Sequence, residues 1–364
     1  MLDSKNNFLA TFPFWLSLGL VALIWFAAIW GGWFLIIVIL TSWILFSSLE
    51  AFLVLDLEND TPEPDDALIF WYQLLTIGWT PLLFTTLFGL IWYCAHSNLS
   101  QLEKFGLFFS VGTITGTISI NYARELILQS EHKKSALADI LLSMFLYSYF
   151  RSERFLGHRK FIGTPRDTVT ARYNEGFYRF LQRILKQRWL SGLQVEKANL
   201  TRKKLAWYDR KNPFYLYGVL HVGMGLLASL LGGWGGLALF LWQSLVAICS
   251  LEIVNYIEHY GLTRKHFGNG KYEHVQPHHS WSSAQKGANW LSINLKHHSS
   301  AGAPQLPFGY AIMSTIALFP SLWRKIMNPK VQKWRAMYYP EIQDWSKYNK
   351  AGNLASIGAQ QKTT

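Results

Sequence analysis

Four long stretches of this chain are almost free of charge: residues 14–55, 68–95, 105–127 and 214–254. A helix needs about 20 mainly apolar residues to cross a bilayer. The interior of a soluble domain does not need blocks of that length. Charged residues make up only 15% of the chain, against about 25% in ordinary soluble domains. Disorder and collagen are excluded by the same pattern. The only cysteines, Cys94 and Cys249, both lie in apolar stretches, so there is no disulfide framework.

The charge is uneven. Residues 1–120 carry two Lys/Arg against nine Asp/Glu, and the rest of the chain carries 32 against 13. Lys and Arg collect on the cytoplasmic side of membrane proteins, which places most of the last two-thirds there. A basic face beside anionic lipid accounts for the excess, so membrane lipids are the expected partner. No recognition motif accompanies the charge, and nucleic acid is not expected.

The blocks divide at glycines and charged loops. Gly31-Gly32 separates a span near 14–30 from one near 33–55, and an acidic, Pro-broken loop (56–66) follows. Further spans are expected near 68–95 and 105–127, and a second glycine-joined hairpin near 214–234 and 235–254. Residues 136–150 and 310–322 are too short to span. The reading is an all-α integral membrane protein with six transmembrane helices and a cytoplasmic helical cap (128–212 and 258–350). It forms a single domain over 1–350, followed by a polar, mobile tail (351–364). An even number of spans with a basic tail puts both termini in the cytoplasm.

Ionisable groups are costly in a bilayer, so chemistry is expected where polar residues meet the inner ends of the spans. Three clusters qualify: Asn121–Gln129, Glu153–Arg159 with Gly163–Asp167, and Asn255–Leu262. Eleven histidines would be enough for a metal by number. Ligands on a helix, however, should recur at i, i+3 and i+4, and no His pair does so within a span. His278-His279 and His297-His298 are adjacent residues, expected to point apart.

The third cluster, NYIEHYGL (Asn255–Leu262), resembles the signature of the membrane-bound alkane 1-monooxygenase family, non-haem di-iron hydroxylases of the membrane fatty-acid desaturase and hydroxylase superfamily. Lys271–Trp281, Pro304–Tyr310 and Glu153–Asp167 also resemble family elements, so the similarity runs over roughly residues 14–340. It implies an alkane-monooxygenase-like fold in a bacterial inner membrane. For an active member it also implies a di-iron cofactor and a rubredoxin-type electron donor.

The ligand set departs from the family. Where the family has the histidines of its first box, this chain has Arg124 and Leu128. Its second box, EHxxGHH, reads Glu153-Arg154-Phe-Leu-Gly-His158-Arg159, and its third, RHSDHH, is deleted where the chain runs from Asn289–Lys296 into His297-His298, which reads as a shortened loop. About two of nine ligand positions survive, His158 and His259. Arginine has no lone pair to offer a metal. The former metal-site positions are therefore Arg124, Leu128, Arg154, His158, Arg159 and His259. Glu125, Glu153 and Glu258 are the supporting carboxylates, which the arginines are expected to neutralise. No cofactor and no catalytic residue are expected. The implied role is a catalytically degenerate, structural or regulatory subunit beside an active homologous or other membrane subunit. One alternative is a hydroxylase or desaturase-type oxidoreductase with a rearranged site that uses His158 and His259. The other is a binder of lipid or alkyl chains in the old substrate channel.

Overall fold

The computed structural model describes residues 3–40, 66–129, 131–268, 271–282 and 302–345. The chain is mostly helical, and its contacts divide it into two compact units. The first comprises residues 1–148, 210–251 and 284–298, and the second 149–209, 252–283 and 299–364.

In the first unit, the Asp3–Trp30 helix ends at Gly31 and Gly32, both at positive φ (61° and 56°), and residues 33–40 are helical again. The rest of the expected second span lies outside the described residues. Glu103 fastens this turn. Its carboxylate accepts from Gly32 N (2.7 Å) and from Ser100 N (2.8 Å), and Ser100 caps the next helix. Asp66–His96 is a single helix despite Pro81.

The expected fourth span is helical from Gln101 to Leu128 but is interrupted by a π-turn at Thr115–Ser119. Ser110, Thr113, Thr115 and Thr117 each return their hydroxyls to the carbonyl four residues back, which satisfies them without water. Trp79 stacks on Tyr122 at 5.0 Å and donates to Ser119 Oγ (2.8 Å), and Ser17 Oγ meets Tyr122 OH at 3.1 Å. Residues 138–147 are mostly buried.

The Pro213–His259 helix leaves helical geometry at Gly232 and Gly233. The Leu237 side chain lies 3.7 Å from where a Cβ on Gly225 would stand. Twelve residues of straight helix would separate them by about 18 Å, so the chain reverses at the glycines. Among the described residues, Gln73–His96 and Pro213–His259 are the helices long and apolar enough to cross a membrane; Ser17–Trp30 is a shorter apolar helix.

The second unit surrounds a core of Phe177, Phe180, Ile184, Tyr256, Tyr260, Trp281, Trp323 and Trp334. The expectation of an all-α chain is corrected at one place. His266–Gly268 and Lys271–Tyr272 form a small antiparallel ladder.

Candidate functional site

Much of the NYIEHYGL signature is scaffold. Tyr256, Ile257, Tyr260 and Leu262 are fully buried. Tyr256 OH donates to Glu175 O (2.7 Å). Tyr260 OH donates to Asn328 Oδ1 (2.7 Å) and accepts from Asn174 N (3.1 Å). Gly261 adopts φ 69°, and its N–H donates to Ala171 O (2.9 Å); a Cβ there would lie 3.0 Å from Val331. Only Gly takes up that conformation without strain.

The other face of the same helix end carries Glu252, Asn255 and His259, spaced three and four residues apart and therefore on one side. Asn255 Nδ2 donates to Glu252 Oε2 (3.1 Å). Opposite lies a π-turn at Glu153–His158, flanked by the helical turns Tyr149–Ser152 and Arg159–Phe161. The His158 and His259 rings are 5.2 Å apart.

The Gly163–Asp167 element orients His158. Gly163 (φ 72°) accepts at its carbonyl from Arg264 N (2.8 Å) and donates from its N–H to Thr170 Oγ1 (3.0 Å). Thr170 Oγ1 in turn donates to Asp167 Oδ2 (2.6 Å). Asp167 receives His158 Nδ1 at 3.1 Å from each oxygen. Burial alone would raise the Asp167 carboxyl. The His158 charge and hydrogen bond, helped by Thr170 and His259, hold it well below its usual range. An ionised carboxylate only accepts, so His158 Nδ1 donates to it.

A group depressed in the folded state stabilises above its unfolded pKa and loses that contribution as pH falls. Asp167→Asn should therefore cost about 1.5–3 kcal/mol at neutral pH. The gap in melting midpoint between wild type and variant should close as pH drops below about 4. A gap that stays constant down to pH 2 would contradict the assignment.

The centre of the site is a residue the sequence reading did not include. Arg188, 1% exposed, places Nε 3.1 Å from Glu153 Oε2 and pairs Nη1 with Glu252 Oε1, and its guanidinium lies over the Phe150 ring. Burial raises the Glu153 carboxyl, and Arg188 opposes the rise. The expectation that arginines at the old ligand positions neutralise these carboxylates is thus corrected for Glu153, whose partner is Arg188. The signal was available: Phe177, Phe180, Ile184, Arg188 and Gly192 form one buried stripe, on which an arginine stands out among mostly apolar residues. Glu252, a carboxylate inside an apolar span, was a second such signal.

The remaining expected residues fall in different places. Arg154 sits over Phe150, and Glu258 is the foremost charge drawing on its guanidinium. Glu258 Oε1 accepts from Tyr310 OH (3.4 Å) and Oε2 lies 3.9 Å from His259 Nε2. Arg124, Glu125 and Leu128 belong to the first unit. Arg124 donates to Asn121 Oδ1 (3.2 Å), and Leu128, at 58% exposure, is turned outward. The Arg159 side chain and residues 283–301, with His297 and His298, lie outside the described residues.

Two irons require many lone-pair donors. Among the described residues this site offers two imidazoles and one group with metal-like spacing, Glu153, His158 and Asp167, with a guanidinium already seated on Glu153 and Glu252. His259 Nδ1 is buried without a hydrogen-bond partner. This set does not suit a pair of irons.

A second group, Glu273, His278 and His279, also has metal-like spacing. The two imidazoles do not point apart as adjacency suggested. Both turn Nε2 toward Tyr339 OH, at 3.2 and 2.8 Å, and Tyr339 OH donates to Glu273 Oε2 (2.7 Å). His279 Nδ1 accepts from Gln276 N (2.8 Å), so the ring proton is on Nε2. Burial lowers the His279 pKa to about 3, which keeps the ring neutral. A neutral ring protonated at Nε2 has no lone pair there for a metal, so the cluster is a closed hydrogen-bonded hub.

Comparison with known proteins agrees with the motifs. A family model described as fatty acid desaturase matches residues 104–300. Alkane 1-monooxygenase 2 of Pseudomonas aeruginosa is 36% identical over 278 residues, covering 72% of this chain and 74% of that protein. Alkane 1-monooxygenase 2 of Alcanivorax borkumensis is 35% identical over 268 residues, 67% of this chain and 70% of its own. The xylene/toluene monooxygenase hydroxylase component XylM of Pseudomonas putida is 23% identical over 272 residues, 68% and 71% of the two chains. A desaturase-type framework, its signature built into the core and its relatives of similar length, identifies this chain as a member of the alkane 1-monooxygenase family of membrane proteins.

Proposed function

We propose that this chain is a catalytically degenerate member of its family, retained as a structural or regulatory subunit beside an active membrane partner. The observation that carries the reading is Arg188, a permanently charged guanidinium buried between Glu153 and Glu252. A cation fixed there supplies the charge balance that buried carboxylates require, and it leaves no lone pair in its place. The reading includes six spans, a cytoplasmic cap, cytoplasmic termini and a bacterial inner membrane. A rubredoxin-type donor has no role in it.

One observation favours a second reading. His158, grouped with Glu153 and Asp167 at metal-like spacing, and the unpartnered His259 Nδ1 are the donors a single-metal, rearranged oxidoreductase site would use.

Metal analysis of the purified protein, with hydroxylation of a medium-chain alkane by cells supplied with electron-transfer partners, separates the two. The degenerate reading expects metal well below one ion per chain, no alcohol product, and a co-purifying membrane chain. Two irons per chain with alcohol formation would overturn it. One metal per chain, lost in His158→Ala, would establish the single-metal site instead.

A further inference from the structure

The Phe177–Arg202 helix buries one stripe in the core of the second unit and leaves an exposed line beside it, at whose start Tyr178 OH donates to Leu318 O (3.1 Å). That line is not polar throughout. Tyr178, Leu185 and Trp189 stand on it at i, i+7 and i+11, with Leu190 beside them. Arg179 and Lys186 flank the line, and both are exposed. The chain continues into exposed Arg202, Lys203 and Lys204, then exposed Trp207 and Tyr208. The two acidic residues of this stretch are withdrawn, Glu196 buried and Asp209 half-buried.

An exposed aromatic and aliphatic line bordered by cations, with no exposed carboxylate, is the composition of a helix lying in a membrane interface. Tyr and Trp suit the headgroup level, where one end of the ring is apolar and the other wet. A soluble acidic partner would be met by the cations but would leave Leu185, Trp189 and Leu190 without a counterpart. An anionic bilayer surface satisfies both at once.

We infer that the Tyr178–Trp189 face of this helix, with Trp207 and Tyr208, docks onto anionic lipid headgroups. The inference is independent of whether the buried site binds metal. It commits the helix to lie along the bilayer surface, its cations among phosphates and its apolar line at the acyl boundary. Each basic residue near such a surface raises binding roughly fivefold.

The test uses the full chain in lipid nanodiscs, with Cys94→Ala and Cys249→Ala removing native thiols. A nitroxide is placed at Leu185→Cys, and a control at exposed Gln194→Cys. In discs of equal parts phosphatidylcholine and phosphatidylglycerol, the label at 185 should be shielded from a water-soluble relaxation agent and open to oxygen. Pure phosphatidylcholine discs, or Arg179→Gln with Lys186→Gln, should reduce that shielding severalfold. The control at 194 should remain open to water throughout. Equal aqueous access at 185 in both lipids would overturn the inference. So would shielding that depends on a second chain per disc and not on phosphatidylglycerol, since that would assign the face to a protein partner.

Discussion

Arg188→Met is expected to destabilise the protein by about 3–5 kcal/mol, the usual cost of breaking a buried ion pair from one side. Glu153 and Glu252 are both buried and both lean on this guanidinium. Without it, one must take up a proton and the other must find a partner among groups already committed, such as Asn255. Arg188→Lys should fall between, because an ammonium keeps the charge but lacks the planar fork that reaches two carboxylates. Restoring neutrality is the sharper test. Arg188→Met combined with Glu153→Gln and Glu252→Gln should regain most of the loss, since a neutral, well-packed replacement of a buried charge group is often nearly neutral in energy. The melting midpoint in detergent measures all of these. An unchanged midpoint in Arg188→Met would show that the guanidinium is not holding the site, and the proposed degenerate function would lose its main support.

How much of this was legible in the sequence depended on the kind of signal. Paired glycines between apolar runs mark reversals, because only Gly accepts positive φ without strain, and the backbone does reverse at Gly232-Gly233. The signature was legible as a family mark, but its largely structural role was not. The contacts of Tyr256, Tyr260 and Gly261 are made by residues scattered from 171 to 331. The π-turns at Thr115–Ser119 and Glu153–His158 left no compositional trace, since one extra residue in a helical turn changes no periodicity enough to read. The resemblance to the family's first box makes Leu128 a former ligand position; the helix ends there and Gln129 is extended, and the side chain turns outward. Arg188 is one of many cations in a basic segment, and what distinguishes it is its place on the buried stripe of Phe177, Phe180, Ile184 and Gly192. The histidines at 278 and 279 show the opposite error. Adjacency suggests divergence on a regular helix or strand, whereas the short turn at Pro277–His279 brings both rings to one tyrosine.

Gly116→Leu should be the most damaging substitution in the first unit. Gly112 and Gly116 lie one turn apart in the Gln101–Leu128 run and let it approach the second arm of the glycine-joined hairpin at backbone distance. A Cβ on Gly116 would lie 2.1 Å from Ala247 O, and one on Gly112 would lie 2.6 Å from Gln243 O. No rotamer relieves a clash with backbone, so the helices must separate. Small residues at four-residue spacing are what allow close packing between membrane helices, where association rests on contact and not on exclusion of water. Separation would also strain the neighbouring links on the same arm, Trp242 Nε1 to Phe105 O (3.0 Å) and Gln243 Nε2 to Met144 O (2.6 Å). Overpacking typically costs 1–3 kcal/mol. A full side chain forced against backbone should lie at or above the upper end, about 3 kcal/mol or more, with Gly116→Ala smaller but of the same sign. Gly218→Ala on the hairpin's first arm is the control, because nothing stands within 4 Å of its Cβ position. There the helix-favouring effect of alanine should leave the midpoint level or slightly raised. If Gly116→Leu melted with wild type while the control did too, the close approach of these two helices would be refuted, independently of anything in the second unit.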